Sequence, residues 1–149
     1  MLNEGLKLKG DVGIVVKDKD GNIKDERQIN NLVVNTGLAY ITSRMVGTDD
    51  NVMSHMALGS GTTAASATNT DLESQLGNRE ALDSSTDSAN TVTYVASFEA
   101  GDATGAVTEA GLFNASSAGV MLCRTVFDVV NKQADDTMTV TWTITLTAS

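Results

Sequence analysis

The chain has 149 residues, of which 41% are hydrophobic and 4% aromatic, with no proline and a formal net charge of −9. This length predicts one domain, 1–149, with a core large enough to be stable without a disulfide or a structural metal. Nucleic-acid binding needs a basic face, so the negative net charge predicts that no nucleic acid is a partner. No apolar run reaches membrane-spanning length, and we therefore expect no membrane as partner. The N-terminus lacks the apolar core of a secretory signal, and we therefore expect synthesis in the cytoplasm.

The acidic residues are concentrated in the middle of the chain. Between Met45 and Cys123, ten acidic residues stand against one basic residue, Arg79, whereas acids and bases balance in the two flanking parts. The acidic stretches 83–90 and 101–105 are predicted as loops. Solvated turns that keep the protein soluble are the favoured interpretation, and an electrostatic docking face or a bound cation is the alternative.

A β-hairpin is predicted near the N-terminus. Apolar residues alternate through DVGIVV, and Ile23 and Ile29 follow in the returning strand. The dipeptide Asp20-Gly21 lies between these two runs and is a strong turn signal.

The segment 1–10, which precedes the hairpin, alternates Leu6 and Leu8 with two lysines. It is predicted either as an extended arm that adds a strand to the sheet edge of a partner or as an ordinary edge strand of its own domain. In the first case, the two leucines are candidate partner-binding residues.

One short helix is predicted over residues 36–46. Asn35 or Thr36 is its expected N-terminal cap, and Gly47 is its expected end. Its apolar residues fall at positions i, i+3 and i+7 and form one stripe that is expected to pack against the sheet. These residues are Leu38, Ile41 and Met45.

A second, single helical turn is predicted near 71–76. Thr70 and Glu73 have the spacing of a capping box, in which the threonine bonds forward and the glutamate bonds back. Gly77 follows as the stop signal.

The remaining segments are predicted as strands joined by turns of small polar residues. Short strands are expected at 54–58 and 79–82, and a long one is expected at 91–100. The turn GDATG is predicted to close a hairpin from this strand into 106–113, and NASSAG then leads into a strand over 120–130.

The last strand carries the strongest periodic signal in the sequence. In TMTVTWTITLT, large apolar residues alternate strictly with threonines. About eight such strands at short spacing predict an all-β fold, an antiparallel β-sandwich of jelly-roll-like type. The threonine row is expected to face solvent, and its alternative role is contact with an equivalent strand of another subunit. The candidate partner-binding residues of this row are Thr139, Thr141, Thr143 and Thr145.

Three patterns imitate sites of known chemistry without completing them. Asp18, Asp20 and Asn22 imitate the start of a calcium loop, but isoleucines occupy the positions that need glycine and glutamate, so a hairpin tip is favoured. The segment GSGTT lacks the lysine of a phosphate-binding loop. His55 is the only histidine and Cys123 the only cysteine, which leaves no cluster for zinc.

The acidic pairs 49–50 and 135–136 lie in turn-like stretches, where adjacent acids are usually only solvated. No GxSxG turn is found, and Cys123 lies within an apolar alternation that is typical of a buried thiol. We therefore expect a protein that is not an enzyme, with no catalytic residue, no cofactor and no metal.

Four segments together resemble small virion proteins of tailed double-stranded DNA bacteriophages, of the capsid decoration (cement) or tail-fibre-like kind. They are NLVVNTGLAYITSRMVG, MALGSGTTAASATNTDLESQLGNREAL, VTYVASFEAGDATGAVTEAGLFNASSAGVMLCRTVFDVV and TMTVTWTITLT, and they cover roughly 31–147. The most specific parts are LGSGTT with the following TDLESQL, then TEAGLFN, and then the C-terminal strand.

The resemblance implies a structural protein on the outer capsid surface of the virion. Its partners would be the major capsid protein and further copies of itself, as a homotrimer that bridges neighbouring capsomers. The alternative is a tail fibre or tail-appendage module that contacts the host surface through the acidic loops 83–90 and 101–105. The chain carries no collagen-like, coiled-coil or β-helical shaft of the kind found in tail fibres, which favours the capsid.

Overall fold

A computed structural model describes residues 5–48 and 51–148 of the chain. Within this part the chain forms nine β-strands and one α-helix, which confirms the all-β class. The strands are β1 (Leu6–Lys17), β2 (Ile23–Val33), β3 (His55–Gly59), β4 (Gln75–Ala81), β5 (Ser84–Ser88), β6 (Thr91–Phe98), β7 (Gly105–Phe113), β8 (Met121–Lys132) and β9 (Thr137–Ala148). The helix, α1 (Asn35–Met45), follows β2 directly.

The nine strands form one curled antiparallel sheet in the order β4-β3-β7-β8-β2-β1-β9-β6-β5. Strand β2 joins its two halves. It pairs with β1 from Ile23 to Asn31, and its last residues, Leu32 and Val33, pair instead with Arg124 and Cys123 of β8. The sheet therefore folds over at β2, and its two halves enclose a common core as in a sandwich.

Strict alternation along β1 and β9 builds the core. Val12 and Ile14 of β1 and Trp142 of β9 are fully buried, and they share one hydrophobic cluster with Leu58 of β3 and Leu112 of β7. Because successive side chains of a strand point to opposite faces, the period of two in the sequence becomes one buried and one outer face. The predicted alternation of the last strand is confirmed.

The predicted hairpin is confirmed, with β1 and β2 joined by a turn over 18–22. The N–H groups of Asp20 and Asn22 both donate to the Asp18 carboxylate at 2.9 Å, and Gly21 adopts a φ of +83°. A left-handed φ favours glycine, which explains the turn signal at this position.

The helix is confirmed, but its predicted cap is wrong, and of its predicted apolar stripe only Ile41 packs against the core. The N-cap is Val34, and the hydroxyl of Thr36 donates to the Met121 carbonyl at 2.9 Å instead of capping the helix. Leu38 and Met45 are exposed, at 44% and 80%, whereas the buried helical residues are Gly37 and Tyr40.

Close packing of Gly37 explains this rotation of α1. A Cβ atom on Gly37 would lie 2.1 Å from the backbone oxygen of Leu122 in β8. The helix therefore turns Gly37, which has no side chain, toward the sheet. Leu38 and Met45 point away from the sheet.

The predicted helical turn at 71–76 is wrong. This segment is bent and extended, and β4 already begins at Gln75. The Glu73 carboxylate accepts the N–H of Thr62 at 3.1 Å rather than capping a helix, and the N–H of Glu73 donates to Glu109 at 3.0 Å. The buried Glu109 carboxylate on β7 thus accepts the Glu73 N–H group, which the side chain of Thr70 would accept in a capped helical turn.

Two connections also differ from the predictions. The stretch 83–90 is not a loop, because it contains β5, which pairs with β6 at one edge of the sheet. The turn GDATG does not close a hairpin, because β6 pairs with β5 and β9 whereas β7 pairs with β3 and β8. The segment 99–104 instead crosses from one half of the sheet to the other. The predicted turn NASSAG is confirmed, and the strands that it joins, β7 and β8, pair as an antiparallel hairpin.

Candidate functional site

A fully buried carboxylate, Glu109 of β7, organises the long loop 60–74. Its Oε1 atom accepts the N–H of Gly61 at 3.0 Å and of Ser74 at 2.7 Å, and Oε2 accepts the N–H of Glu73 at 3.0 Å. The Nε–H of buried Arg124, on β8, donates to Oε2 at 2.9 Å, and the Nη2 atom lies 2.8 Å from it. Both ends of the loop are therefore tied to one ion pair.

The glycines of LGSGTT leave the room that this carboxylate needs. A Cβ atom on Gly59 would lie 2.4 Å from Glu109 Oε1, and one on Gly61 would lie 2.6 Å from the same atom. The Thr108 hydroxyl also donates to the Gly61 carbonyl at 2.7 Å, and Arg124 reaches Asn69 in the middle of the loop at 3.0 Å. The arrangement holds a loop in one conformation.

Sequence reasoning missed this pair, although the sequence carries a signal for it. Every residue from Val107 to Phe113 is buried, and Glu109 is the only charge in that run. Arg124 likewise interrupts the apolar start of β8. Because charges are rarely buried without a partner, a lone acid and a lone base in two neighbouring apolar strands predict an ion pair.

An apolar surface lies at the end of the molecule that carries α1. Four large apolar side chains in α1 and in the segment after it are exposed, namely Leu38 (44%), Met45 (80%), Val46 (76%) and Val52 (59%). Exposed apolar side chains concentrated in one part of the chain are candidates for a protein–protein contact site. We call these four residues the α1 surface.

An apolar cleft of about 210 Å³ lies between α1 and the inner face of β6 and β9. Its lining is mainly aliphatic and aromatic and consists of Tyr40, Ile41, Arg44, Val92, Tyr94, Leu122, Ile144 and Leu146. Burial raises the pKa of Tyr94 to about 12, so this phenol is neutral at physiological pH. The cleft can accept an uncharged side chain.

Leu6 and Leu8, the residues predicted in the N-terminal arm, lie in β1. Both belong to the ladder with β9, in which Leu6 is opposite Ala148 and Leu8 is opposite Leu146. Leu6 is 60% exposed, whereas Leu8 is half-buried against the core. The described part of the segment 1–10 is therefore a strand of its own domain, and residues 1–4 lie outside the described part. A role of the two leucines in partner binding stays a prediction.

The predicted threonine row lies on the outer face of β9, which runs between β1 and β6 in the sheet. Its members, Thr139, Thr141, Thr143 and Thr145, are all half-buried. The neighbours of Thr141 across the strands are Gly13 and Val95. Thr143 and Thr145 lie opposite the charged residues Asp11 and Lys9. Contact of the row with solvent or with another subunit stays a prediction.

The patterns that imitate known sites have structural roles. Hydrogen bonding by the Asn22 backbone lowers the pKa of Asp18, whose carboxylate is used within the turn. His55 is opposite Phe113 on one side of β7, whereas Cys123 is opposite Leu112 on the other side. The structure therefore does not bring the histidine and the cysteine together. Burial raises the pKa of the Cys123 thiol well above its usual value.

The acidic pair 135–136 contributes a structural ion pair. Asp136 is buried, its carboxylate lies 2.6 Å from Lys24 Nζ, and it also accepts the N–H of Gln133 at 2.8 Å. The pair 49–50 lies outside the described residues. Among the residues that the structure describes, no group of three or more histidine, cysteine and acidic side chains could hold a metal ion.

In the two described ranges, 5–48 and 51–148, no helix is long and apolar enough to span a membrane. Comparison of the chain with protein families, with curated proteins and with solved structures finds no match.

Proposed function

We propose that this protein is a structural virion protein that binds the outer capsid surface between capsomers and stabilises the head. The α1 surface is the observation that carries the proposal. It offers exposed apolar side chains, among them Met45 and Val46, beside a cleft that is open to a partner side chain. Burial of apolar side chains is the main source of affinity between proteins.

The contacts of Glu109 give a structural role to the segments on which the proposed resemblance to decoration proteins depends. Three of the segments on which that resemblance depends, LGSGTT, TDLES and TEAGLFN, meet at this carboxylate. The glycines leave room for the carboxylate, the backbone N–H groups donate to it, and the acid accepts these hydrogen bonds. A rigid loop on a rigid sheet suits a protein that acts by binding and not by conformational change.

Symmetric self-association would multiply the effect of each contact. A homotrimer that bridges capsomers at a site of local threefold symmetry presents three copies of the α1 surface, and its avidity exceeds the affinity of a single copy. The major capsid protein is the expected partner. The added contact area opposes the outward pressure of the packaged DNA.

Binding to expanded capsids that lack decoration protein tests the proposal. Co-sedimentation should show saturable binding at hundreds of copies per capsid. The double variant Met45→Gln, Val46→Gln should weaken binding by about tenfold or more, because it removes exposed apolar contacts without touching the core.

Ile23→Gln is the matched control, because Ile23 is 58% exposed but lies in the β1–β2 hairpin, outside the α1 surface. This variant should bind as the unchanged protein does. Equal binding by all three proteins would remove the α1 surface from the mechanism. Antibody labelling that finds a few copies at the tail and none on the head would replace the capsid proposal by the tail-appendage alternative.

A further inference from the structure

We propose that β1 offers an open strand edge at residues 6–9, and that this edge binds an extended partner segment in which apolar and acidic side chains alternate. The inference deepens the proposed function and rests on it, because it names the chemistry of the capsid segment that would bind here. We call residues 6–9 the open edge.

The two strands run antiparallel, and the edge is open because β2 turns away from β1 before it reaches the first four residues of β1. On one side, all four residues of the open edge pair with β9, from Leu6 opposite Ala148 to Lys9 opposite Thr145. On the other side, the first pair joins Gly10 to Asn31. The next residue of β2, Leu32, is already paired with β8.

Backbone groups of the open edge are therefore available on the side away from β9. Among the described residues, no turn or loop backbone hydrogen bond reaches residues 6–9. In an antiparallel ladder, alternate residues direct their N–H and C=O groups to one side. An added strand would bind to these groups, as in other cases of β-strand addition.

The side chains of the open edge define what the added strand must carry. Leu6 and Leu8 have the parity of Val12 and belong to the inner face, where Leu6 is 60% exposed. Lys7 and Lys9 are exposed on the outer face, and the Lys9 ammonium has only a long contact, 3.6 Å, with half-buried Asp11.

A strand paired with the open edge places its own alternate side chains beside the leucines and beside the lysines. Apolar residues match the positions beside the leucines, and acidic residues match the positions beside the lysines. Charge complementarity of this kind also selects the register, because a shift by one residue would place acids beside leucines.

A second copy of this chain does not offer such a segment, because its own open edge carries lysines where acids are needed and neither outer strand of its described sheet alternates apolar and acidic residues. The outer strands of the described sheet are β4 and β5. Strand β5 reads SSTDS and has no large apolar residue, and β4 reads QLGNREA, with a left-handed Gly77 at φ +66° that interrupts its regular pairing. The partner is therefore a different protein.

Titration with a labelled, acetylated peptide of alternating valine and glutamate, VEVEVE, tests the inference on the full chain by fluorescence anisotropy. A peptide of the same composition in blocks, VVVEEE, controls for charge alone. Lys7→Glu, Lys9→Glu should weaken VEVEVE binding by about tenfold or more and should create binding of VKVKVK, because complementary charges select the partner strand. Lys17→Glu, Lys19→Glu changes the net charge equally at the far end of the hairpin and should change the affinity by less than about twofold.

Hydrogen exchange locates the bound peptide. VEVEVE should slow exchange at amides within residues 6–9. Absence of binding, equal binding of VVVEEE, equal loss in both lysine variants or protection elsewhere would each overturn the inference. Protection of residues 6–9 that rises with protein concentration without peptide would also overturn it, because a second copy would then fill the edge.

The same two lysine variants separate this inference from the proposed function. If Lys7→Glu, Lys9→Glu loses the peptide but decorates capsids normally, the open edge is not the capsid contact and the decoration role stands. If the unchanged protein binds the peptide but no capsid, the decoration role fails and the strand-accepting edge stands without it.

Discussion

Buried charges at a few positions determine the shape of the surface loops. Glu109 and Arg124 form an ion pair with 0% and 2% of their side-chain surfaces exposed, and three backbone N–H groups of the loop 60–74 converge on the same carboxylate. Lys132 is also buried, and its ammonium donates to the Glu99 carbonyl at 2.8 Å, where desolvation lowers its pKa. A buried charge is stable only with such partners, so each of these contacts orders a connection.

Glu109→Gln should lower the free energy of unfolding by about 3–5 kcal/mol, because it leaves the buried Arg124 guanidinium without a counter-charge. Urea denaturation followed by circular dichroism measures this loss. Asp87→Asn, which removes an exposed acid from β5, is the control and should change stability by less than about 0.5 kcal/mol. A loss below about 1 kcal/mol for Glu109→Gln would contradict the organising role of the carboxylate.

The pair of Asp136 with Lys24 predicts acid sensitivity. The Lys24 ammonium holds the pKa of Asp136 below its usual value. A carboxyl group whose pKa is lower in the folded protein stabilises the fold above its unfolded pKa of about 4, and this contribution is lost as the pH falls through the folded value. Stability between pH 7 and pH 2 should therefore fall less steeply for Asp136→Asn, and equal pH dependence in both proteins would contradict the assignment.

At the scale of elements, α1 shows that close approach can outweigh an apolar stripe. The helix packs through Gly37 and Tyr40, and Leu38 and Met45 are left on the outside. The loss of water contact by two leucine-sized side chains would favour the opposite rotation. Two features hold the helix in the observed rotation. One is the close backbone contact of Gly37 with β8, and the other is the short linker from β2, which consists of Val34 alone.

Gly37→Ala should destabilise the protein by about 1–3 kcal/mol through overpacking against the Leu122 carbonyl, although alanine has the higher helix propensity. Thermal unfolding measures the change. Thr42→Ala, at an exposed position of the same helix, should be neutral or slightly stabilising. Stabilisation by Gly37→Ala would show that the helix can move away from β8 at no cost.

At the scale of the whole molecule, two surfaces of different character result from the curled sheet. The α1 end combines exposed apolar side chains with a cleft, whereas the outer face around β9 presents threonine hydroxyls beside glycine and valine. Removing exposed apolar side chains from water favours association, whereas a row of threonine hydroxyls tolerates contact with water. The α1 end is therefore the better docking surface.

Thr141→Arg should leave both the sedimentation coefficient and the capsid occupancy unchanged, since we expect the threonine face to be in contact with solvent. Analytical ultracentrifugation and co-sedimentation with capsids measure the two properties. Thr86→Arg, at an exposed position on the edge strand β5, serves as the control for the added charge. Dissociation by Thr141→Arg alone would assign the threonine face to a subunit contact.

Period-two alternation in the sequence was enough to predict the all-β class, the buried faces of β1 and β9 and the first hairpin. These features depend on neighbours within one strand or one turn: a strand can bury only one set of alternate side chains, and Asp20-Gly21 matches the turn that joins β1 to β2. The position of α1 was likewise predictable from local residues, within one residue at each end.

Only the tertiary structure decided which face α1 buries, how the segment 71–76 folds and which strands become neighbours. In each case the deciding atom is far away in the chain: the Leu122 carbonyl for Gly37, and the Glu109 carboxylate for the N–H of Glu73. The switch of β2 from β1 to β8 leaves residues 6–9 with β9 as their only paired strand among the described residues. Local patterns cannot encode such contacts, because their free energy exists only once distant strands have come together.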